Sequence, residues 1–179
     1  MFTKAFVGFS AGKKIAYLAV FSAVMVLVNA FSLDVTPAFK ISFTAAAAFL
    51  TGTLFGPVGG LAVCLVGDLL GCLVTGLVPN PLILLASGLL GLIPGLIMTH
   101  VKGNFYAKAV LSFALCLLVC TAGVNTLAIY LYYSSRSVSF FSYMLSRLPA
   151  QGTVMAVNCV LGILLAKIIN RMNLGFTIS

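Results

Sequence analysis

The sequence predicts an all-α integral membrane protein, a bundle of six transmembrane helices with N- and C-termini in the cytoplasm. Composition gives the class. Of 179 residues, 62% are hydrophobic and 7% charged, against roughly 25% charged in soluble domains, and the mean hydropathy is +1.22. Punctuation gives the number of helices. At about 20 residues per span with short loops, the length holds five or six helices and no sizeable soluble domain, so residues 1–179 read as one membrane domain. Basic residues give the orientation. With six crossings and the N-terminus inside, Lys4, Lys13, Lys14, Lys102, Lys108, Lys167 and Arg171 fall on the cytoplasmic side and Lys40, Arg136 and Arg147 outside, the bias expected of cytoplasmic loops.

The elements follow in order. Lys13 and Lys14 precede an apolar run from Ile15 to Phe31. Val28-Asn-Ala30 resembles a signal-peptidase site, but the run is long for a signal peptide and a bundle follows it, so it reads as a retained first span. Ala16, Ala19 and Ala23 form a smooth strip along it that permits close approach of another helix. Residues 32–42 read as a loop holding Asp34, Pro37 and Lys40. A short second span, 41–55, opens with Ala45 to Ala48, and Lys40 can complete it by snorkelling. Gly56-Pro57 breaks the chain, and a third span runs to Leu77 with Asp68 near its middle. Gly52, Gly56 and Gly60 recur at four-residue spacing, as do Gly67 and Gly71, and such faces mean close helix packing.

Pro79-Asn-Pro81 turns the chain, because prolines on both sides of Asn80 cannot continue a helix. The fourth span covers 82–99, with a kink expected at Pro94. Lys102-Gly-Asn104 is a basic turn. The fifth span, 105–133, exceeds what the bilayer needs. A Ser- and aromatic-rich loop with Arg136 leads to the sixth span, 144–171.

Polar residues stand out in so apolar a chain. With Arg147 at zero on a helical wheel, about 100° per residue puts Gln151 near 40° and Asn158 near 20°, a polar stripe down one face of the last span. Thr121, Asn125 and Tyr132 share a face of the span before it by the same count. Polar stripes inside a membrane face a cavity or each other, which predicts a binding pocket between these two helices, open to the outside. An arginine fork matches a carboxylate bidentately, and the Asn125 amide offers both a donor and an acceptor. Asp68, the one acid within a span, reads as a structural, hydrogen-bonded group, with an ion relay as the other option. Tyr130, Tyr132, Tyr133, Phe140, Phe141 and Tyr143 mark the outer interface or a stacking surface.

Other chemistries are excluded. The net charge of +8 is carried by ten basic residues scattered between apolar spans, with no basic run interleaved with aromatics, so no nucleic-acid partner is expected. Cys64, Cys72, Cys116, Cys120 and Cys159 make no CxxC pair and His100 is the sole histidine, so no metal site or other cofactor is expected. Two acidic residues in the whole chain leave little for acid–base catalysis, and no enzyme is expected. No GxxxxGK[ST] phosphate loop is present, so the chain is not expected to hydrolyse ATP itself, and if it drives uphill uptake the energy must come from a partner or an ion gradient.

Six stretches in order along the chain carry a family resemblance: Ala19-xxx-Ala23, Pro37-Ala-Phe-Lys-Ile-Ser-Phe43, Phe55-Gly-Pro-Val-Gly-Gly60, Gly67-Asp68, Gly123-Val-Asn-Thr126 and Arg147-Leu-Pro-Ala-Gln151. The chain resembles the substrate-capture S component of an energy-coupling-factor (ECF) vitamin transporter, in particular the folate family. The resemblance implies a multi-pass protein of a prokaryotic plasma membrane. It implies a vitamin site near the outer surface, closed by the loop between the first two helices and by later outer loops, which here hold Lys40, Asn80 and Arg136. It also implies that Ala16, Ala19 and Ala23 dock on a membrane coupling subunit that pairs with two cytosolic ATPases, and that the subunit topples in the membrane to deliver the vitamin. Folate suits the residues present: Asn125 or Gln151 for its pterin, and Arg147, Arg136 or Lys40 for its carboxylates. The chain has no tryptophan, which leaves a smaller carboxylated vitamin such as pantothenate or biotin as an alternative, beside an ion-coupled transporter acting alone and a non-transport structural protein.

Overall fold

The computed structural model describes residues 4–36, 39–133 and 139–171. A short helix α1 (Lys4–Val7) precedes α2 (Ala11–Ala30), and a hairpin of β1 (Leu33–Thr36) and β2 (Phe39–Ile41) follows. Then come α3 (Thr44–Thr75), α4 (Pro81–His100) and α5 (Phe105–Leu115). A π-helical stretch, Cys116–Asn125, joins α5 to α6 (Thr126–Tyr133), and α7 (Phe140–Arg171) ends the bundle. Among the described residues, five helical stretches are long and apolar enough to cross a membrane: Ala11–Ala30, Thr44–Thr75, Pro81–His100, Phe105–Tyr132 and Phe140–Arg171.

Six were expected, and the difference lies in α3. The second and third expected spans form one helical element, interrupted at Gly56, where φ is 83° and ψ −177°. Pro57 follows, and only glycine adopts this backbone without strain. The chain folds back there. A Cβ built on Gly60 would stand 2.8 Å from the Gly52 Cα, and Thr51 Oγ1 lies 3.8 Å from Cys64 Sγ. In an unbroken helix, positions eight apart are separated by about 12 Å. The first limb, Thr44 to Phe55, is only about 18 Å long, short of a hydrocarbon core of roughly 30 Å. A second difference is the hairpin, which was read as a loop in an all-helical chain. Leu33 pairs with Ile41, and Asp34 with Lys40, in antiparallel register. The β-branched residues of Leu33-Asp-Val-Thr36 favour this pleat.

Glycines weld the centre of the bundle. A Cβ on Gly52 would lie 2.6 Å from the Gly91 carbonyl oxygen, one on Gly91 2.3 Å from that of Gly60, and one on Gly95 2.5 Å from the Pro57 nitrogen. The backbones of α3 and α4 therefore touch, and these two helices share the most extensive contact in the molecule. Gly67 and Gly71 do the same for α2, whose Met25 and Asn29 side chains occupy the space a Cβ would need. The ends are punctuated as local chemistry dictates. Gly76, at φ 72°, closes α3. Asn80 Oδ1 accepts from Leu82 N at 3.0 Å with Pro81 in the first turn of α4, a standard cap. Asn104 caps α5 in the same way. α4 continues through Pro94 as one helix.

Two apolar clusters fill the core. One joins Phe6, Met25, Phe55 and Val63. The other joins Phe49, Phe113, Cys116 and Met155, with the Phe49 and Phe113 rings 5.0 Å apart.

Candidate functional site

The polar face of α7 is a real stripe. Its buried residues are Arg147, Met155, Asn158, Gly162 and Ala166, spaced as one face of a 3.6-residue helix. Gln151 lies between them, half-buried. Arg147 is only 5% exposed. Its Nη1 donates to Thr126 Oγ1 at 3.2 Å, and Thr126 Oγ1 donates onward to the Thr121 carbonyl at 2.8 Å. Its guanidinium carbon sits 5.7 Å from the Tyr143 ring centroid, within cation–π range. Tyr143 in turn packs against Tyr130, which meets Phe140 edge-on. A buried arginine is thus held between a hydroxyl ladder and an aromatic wall, where α6 faces α7.

The ladder depends on the π-helical stretch. Thr126 reaches back five residues to Thr121, one more than α-helical spacing. That wider turn defeats the 100° count used for the expected face of Thr121, Asn125 and Tyr132. Thr121 is buried, Asn125 half-buried and Tyr132 60% exposed, so Tyr132 is turned outward. Thr126, which carries little information alone, is the partner that orients Arg147. Its signal in the sequence was the five-residue interval from Thr121.

Asn158 has a different task from the ligand contact expected of it. It is 1% exposed. Its Oδ1 accepts from Ala46 N at 3.0 Å, and its Nδ2 donates to the Ser42 and Val154 carbonyls at 2.9 and 2.8 Å. Its amide is occupied by backbone, most of it 112 or more residues away. Asn80 likewise serves its own helix as a cap. Lys40 lies in β2 opposite Asp34, and β2 packs on α7. Arg136 lies outside the described residues. Among the described residues, no buried side-chain nitrogen or oxygen lacks a hydrogen-bond partner.

A second polar group lies where the last turn of α2 meets α3. Asn29 Nδ2 donates to Asp68 Oδ1 at 2.9 Å. The two line a small recess with Met25, Thr44, Ser87 and Leu90, with room for about one water molecule. Asn29 was visible in the sequence only as part of a signal-peptidase-like tripeptide.

Ala16, Ala19 and Ala23 are exposed on α2, in line with Gly12, which has open space around it. Only 6% of the α2 window is buried within the bundle, against 22–39% for the other four long apolar helices.

The arrangement suits capture of an anionic, ring-bearing small molecule at one end of a helical bundle. Among solved structures, the crystal structure of FolT bound with folic acid is similar, at 25% sequence identity and a TM-score of 0.73, covering 86% of this chain and 92% of that one. No curated protein matches the chain. Residues 10–171 match the family described as ECF-type riboflavin transporter, S component, a stretch that begins before α2 and ends with α7, and the chain belongs to this S-component family.

Proposed function

We propose that this protein is the vitamin-capture subunit of an ECF-type importer and that its vitamin is folate. The observation that carries the reading is Arg147, buried at 5% exposure between Thr126 and Tyr143. A guanidinium is a planar donor fork whose shape matches a carboxylate, and a buried one favours an anionic partner over water. Folate has two carboxylates and a ring system. Riboflavin, the vitamin named for the matching family, has rings and no carboxylate for such a fork to match. The similarity to FolT, whose crystal structure contains folic acid, points the same way.

In this reading, Arg147, Gln151 and Asn125 bind the ligand. Lys40 in β2 and Arg136 add positive charge at the mouth, Asn80 shapes the outer turn, and Tyr132 sits on the rim. Asn158 supports the site from below, and Asp68 is a structural acid. The chain crosses a prokaryotic plasma membrane six times, the fold-back at Gly56 supplying the extra crossing, with both termini in the cytoplasm. The exposed strip of Ala16, Ala19 and Ala23 docks on a membrane coupling subunit driven by two cytosolic ATPases. The bare face of α2 supports this, since small residues exposed to lipid gain nothing until another helix packs on them.

The deciding experiment is titration of the purified protein with folic acid, riboflavin, pantothenate and biotin. Saturable binding of folic acid, weakened by Arg147→Ala, is expected. Tight riboflavin binding that ignores Arg147 would replace the substrate. Uptake into vesicles containing this chain alone, driven by an ion gradient, would replace the mechanism with ion-coupled transport.

A further inference from the structure

The outer hairpin is tied at both of its feet to polar side chains that rise from within the bundle. The foot before β1 is Asn29, whose Nδ2 donates to Asp68 Oδ1 at 2.9 Å. The Asn29 carbonyl also accepts from Ser32 Oγ at 2.6 Å, which fixes the exit from α2. The foot after β2 is the start of α3. Here Asn158 Nδ2 donates to the Ser42 carbonyl at 2.9 Å, and Ala46 N donates to Asn158 Oδ1 at 3.0 Å.

The second tie has the form of a helix cap. Ala46 is the third residue of α3, the position whose amide an N-cap side chain ordinarily serves. The residue at the N-cap position is Phe43, which makes no side-chain cap and has no acceptor to make one. The cap comes instead from α7, across the bundle. A third bond, Asn158 Nδ2 to the Val154 carbonyl at 2.8 Å, locks the amide in the orientation that capping needs. The same α7 carries Arg147, eleven residues or about 16 Å toward the start of the helix, and β2 packs on α7.

We infer that Asp68 and Asn158 are positioning residues that clamp the two feet of the outer hairpin to the bundle, and that this clamp governs how long a captured ligand is retained. The inference rests on the outer end of the bundle being the vitamin site. A hairpin held at both feet is already ordered when ligand arrives, which lowers the entropy lost on closure. Release must loosen a foot, so the clamp acts on dissociation more than on association. Neither residue has to touch the ligand.

The test combines amide hydrogen exchange with stopped-flow binding of folic acid, on the purified full chain and its variants Asn158→Leu, Asn158→Asp and Asp68→Leu. Exchange in Asn158→Leu is expected to rise at residues 42–48, and in Asp68→Leu at 29–33. Folic acid dissociation should quicken about tenfold in each, with association changed less than about threefold. Asn158→Asp keeps the acceptor for Ala46, so it should keep residue 46 protected and release ligand at an intermediate rate. Unchanged exchange at both feet would overturn the clamp. So would binding lost through slower association with exchange unaltered, because Asn158 would then be a direct ligand contact. If the wild-type chain binds no folic acid, the vitamin assignment falls, while the exchange measurements still decide whether the feet are clamped.

Discussion

The two halves of this bundle use polar and small residues in opposite ways. In the first half, α3 and α4 meet backbone to backbone at Gly52, Gly60, Gly91 and Gly95. In the second half, α6 and α7 are held apart by side chains: Arg147, Thr126, Tyr143 and Tyr130 fill the space. Lipid provides no hydrophobic drive for helices to associate, so contact must come from close packing or from hydrogen bonds. The glycine half takes the first route and has no slack. The α6–α7 half takes the second, and its side chains are the ones proposed to engage a ligand. Under the proposed function this is a division of labour in which the wall that cannot adjust positions the wall that recognises.

The sharpest way to break this comparison is to put a side chain into the weld. Gly91→Leu would drive atoms into the Gly60 carbonyl, 2.3 Å from the Cβ position, and into Cys64 Sγ at 2.6 Å. Overpacking that backbone cannot relieve costs about 3 kcal/mol or more, enough to remove folded protein. The expected outcome is loss of the monodisperse peak in detergent chromatography. A well-folded Gly91→Leu protein would mean that α3 and α4 are not welded.

The next perturbation leaves both halves intact and strikes the bare outer face of α2. Ala19→Phe adds bulk to an exposed strip, so folding and folic acid titration should be unaffected. Uptake by cells that also make the coupling subunit and ATPases should cease, because a ring prevents the close approach that small residues allow. Equal loss of binding and uptake would place Ala19 in the folded core rather than at a docking face.

Removal of the arginine tests the recognising wall. Arg147→Ala should weaken folic acid binding by about 100-fold, the size expected for a charge-assisted hydrogen bond pair, while the thermal midpoint stays within a few degrees. Arg147→Lys keeps the charge but not the fork and should recover only part of the loss. A pteroate analogue lacking the glutamyl carboxylates should bind the wild type and Arg147→Ala alike if Arg147 reads the glutamate.

How much of this was legible depended on whether the governing contact was local. Asn80-Pro81, Asn104 and Gly76 act on their own helices, and the sequence displays those signals directly. The glycine spacing announced close packing, although the partner of Gly52 on α4 was not visible. Arg147 and Gln151 were placed on one face because α7 is regular. Tyr132 was misplaced because Cys116–Asn125 is π-helical, and nothing in CLLVCTAGVN distinguishes a wider turn from an ordinary one. Asn158 was found for its polarity and given the wrong partners, since Ser42 and Ala46 are more than a hundred residues away. The hairpin was missed although Leu33-Asp-Val-Thr36 and Phe39-Lys-Ile41 alternate as strands do. A membrane setting encouraged a loop assignment there.

The smallest expected effect discriminates most finely between the two walls. Thr126→Val preserves shape and removes one hydroxyl. In a scaffold role, that hydroxyl would matter for stability through its bond to the Thr121 carbonyl. In a recognition role, it would matter because it fixes the Arg147 fork by accepting from Nη1. A single neutral hydrogen bond is worth about 1 kcal/mol, so either role predicts an effect of five- to tenfold, and the two differ in where it appears. We expect it in folic acid affinity, with the thermal midpoint nearly unchanged and with Thr126→Ser, which keeps the hydroxyl, close to wild type. In an Arg147→Ala background, Thr126→Val should then have no further effect on affinity, because the group it orients is gone. A full, additive loss in that background would mean that Thr126 meets the ligand on its own account, and the recognising wall would extend from α7 onto α6.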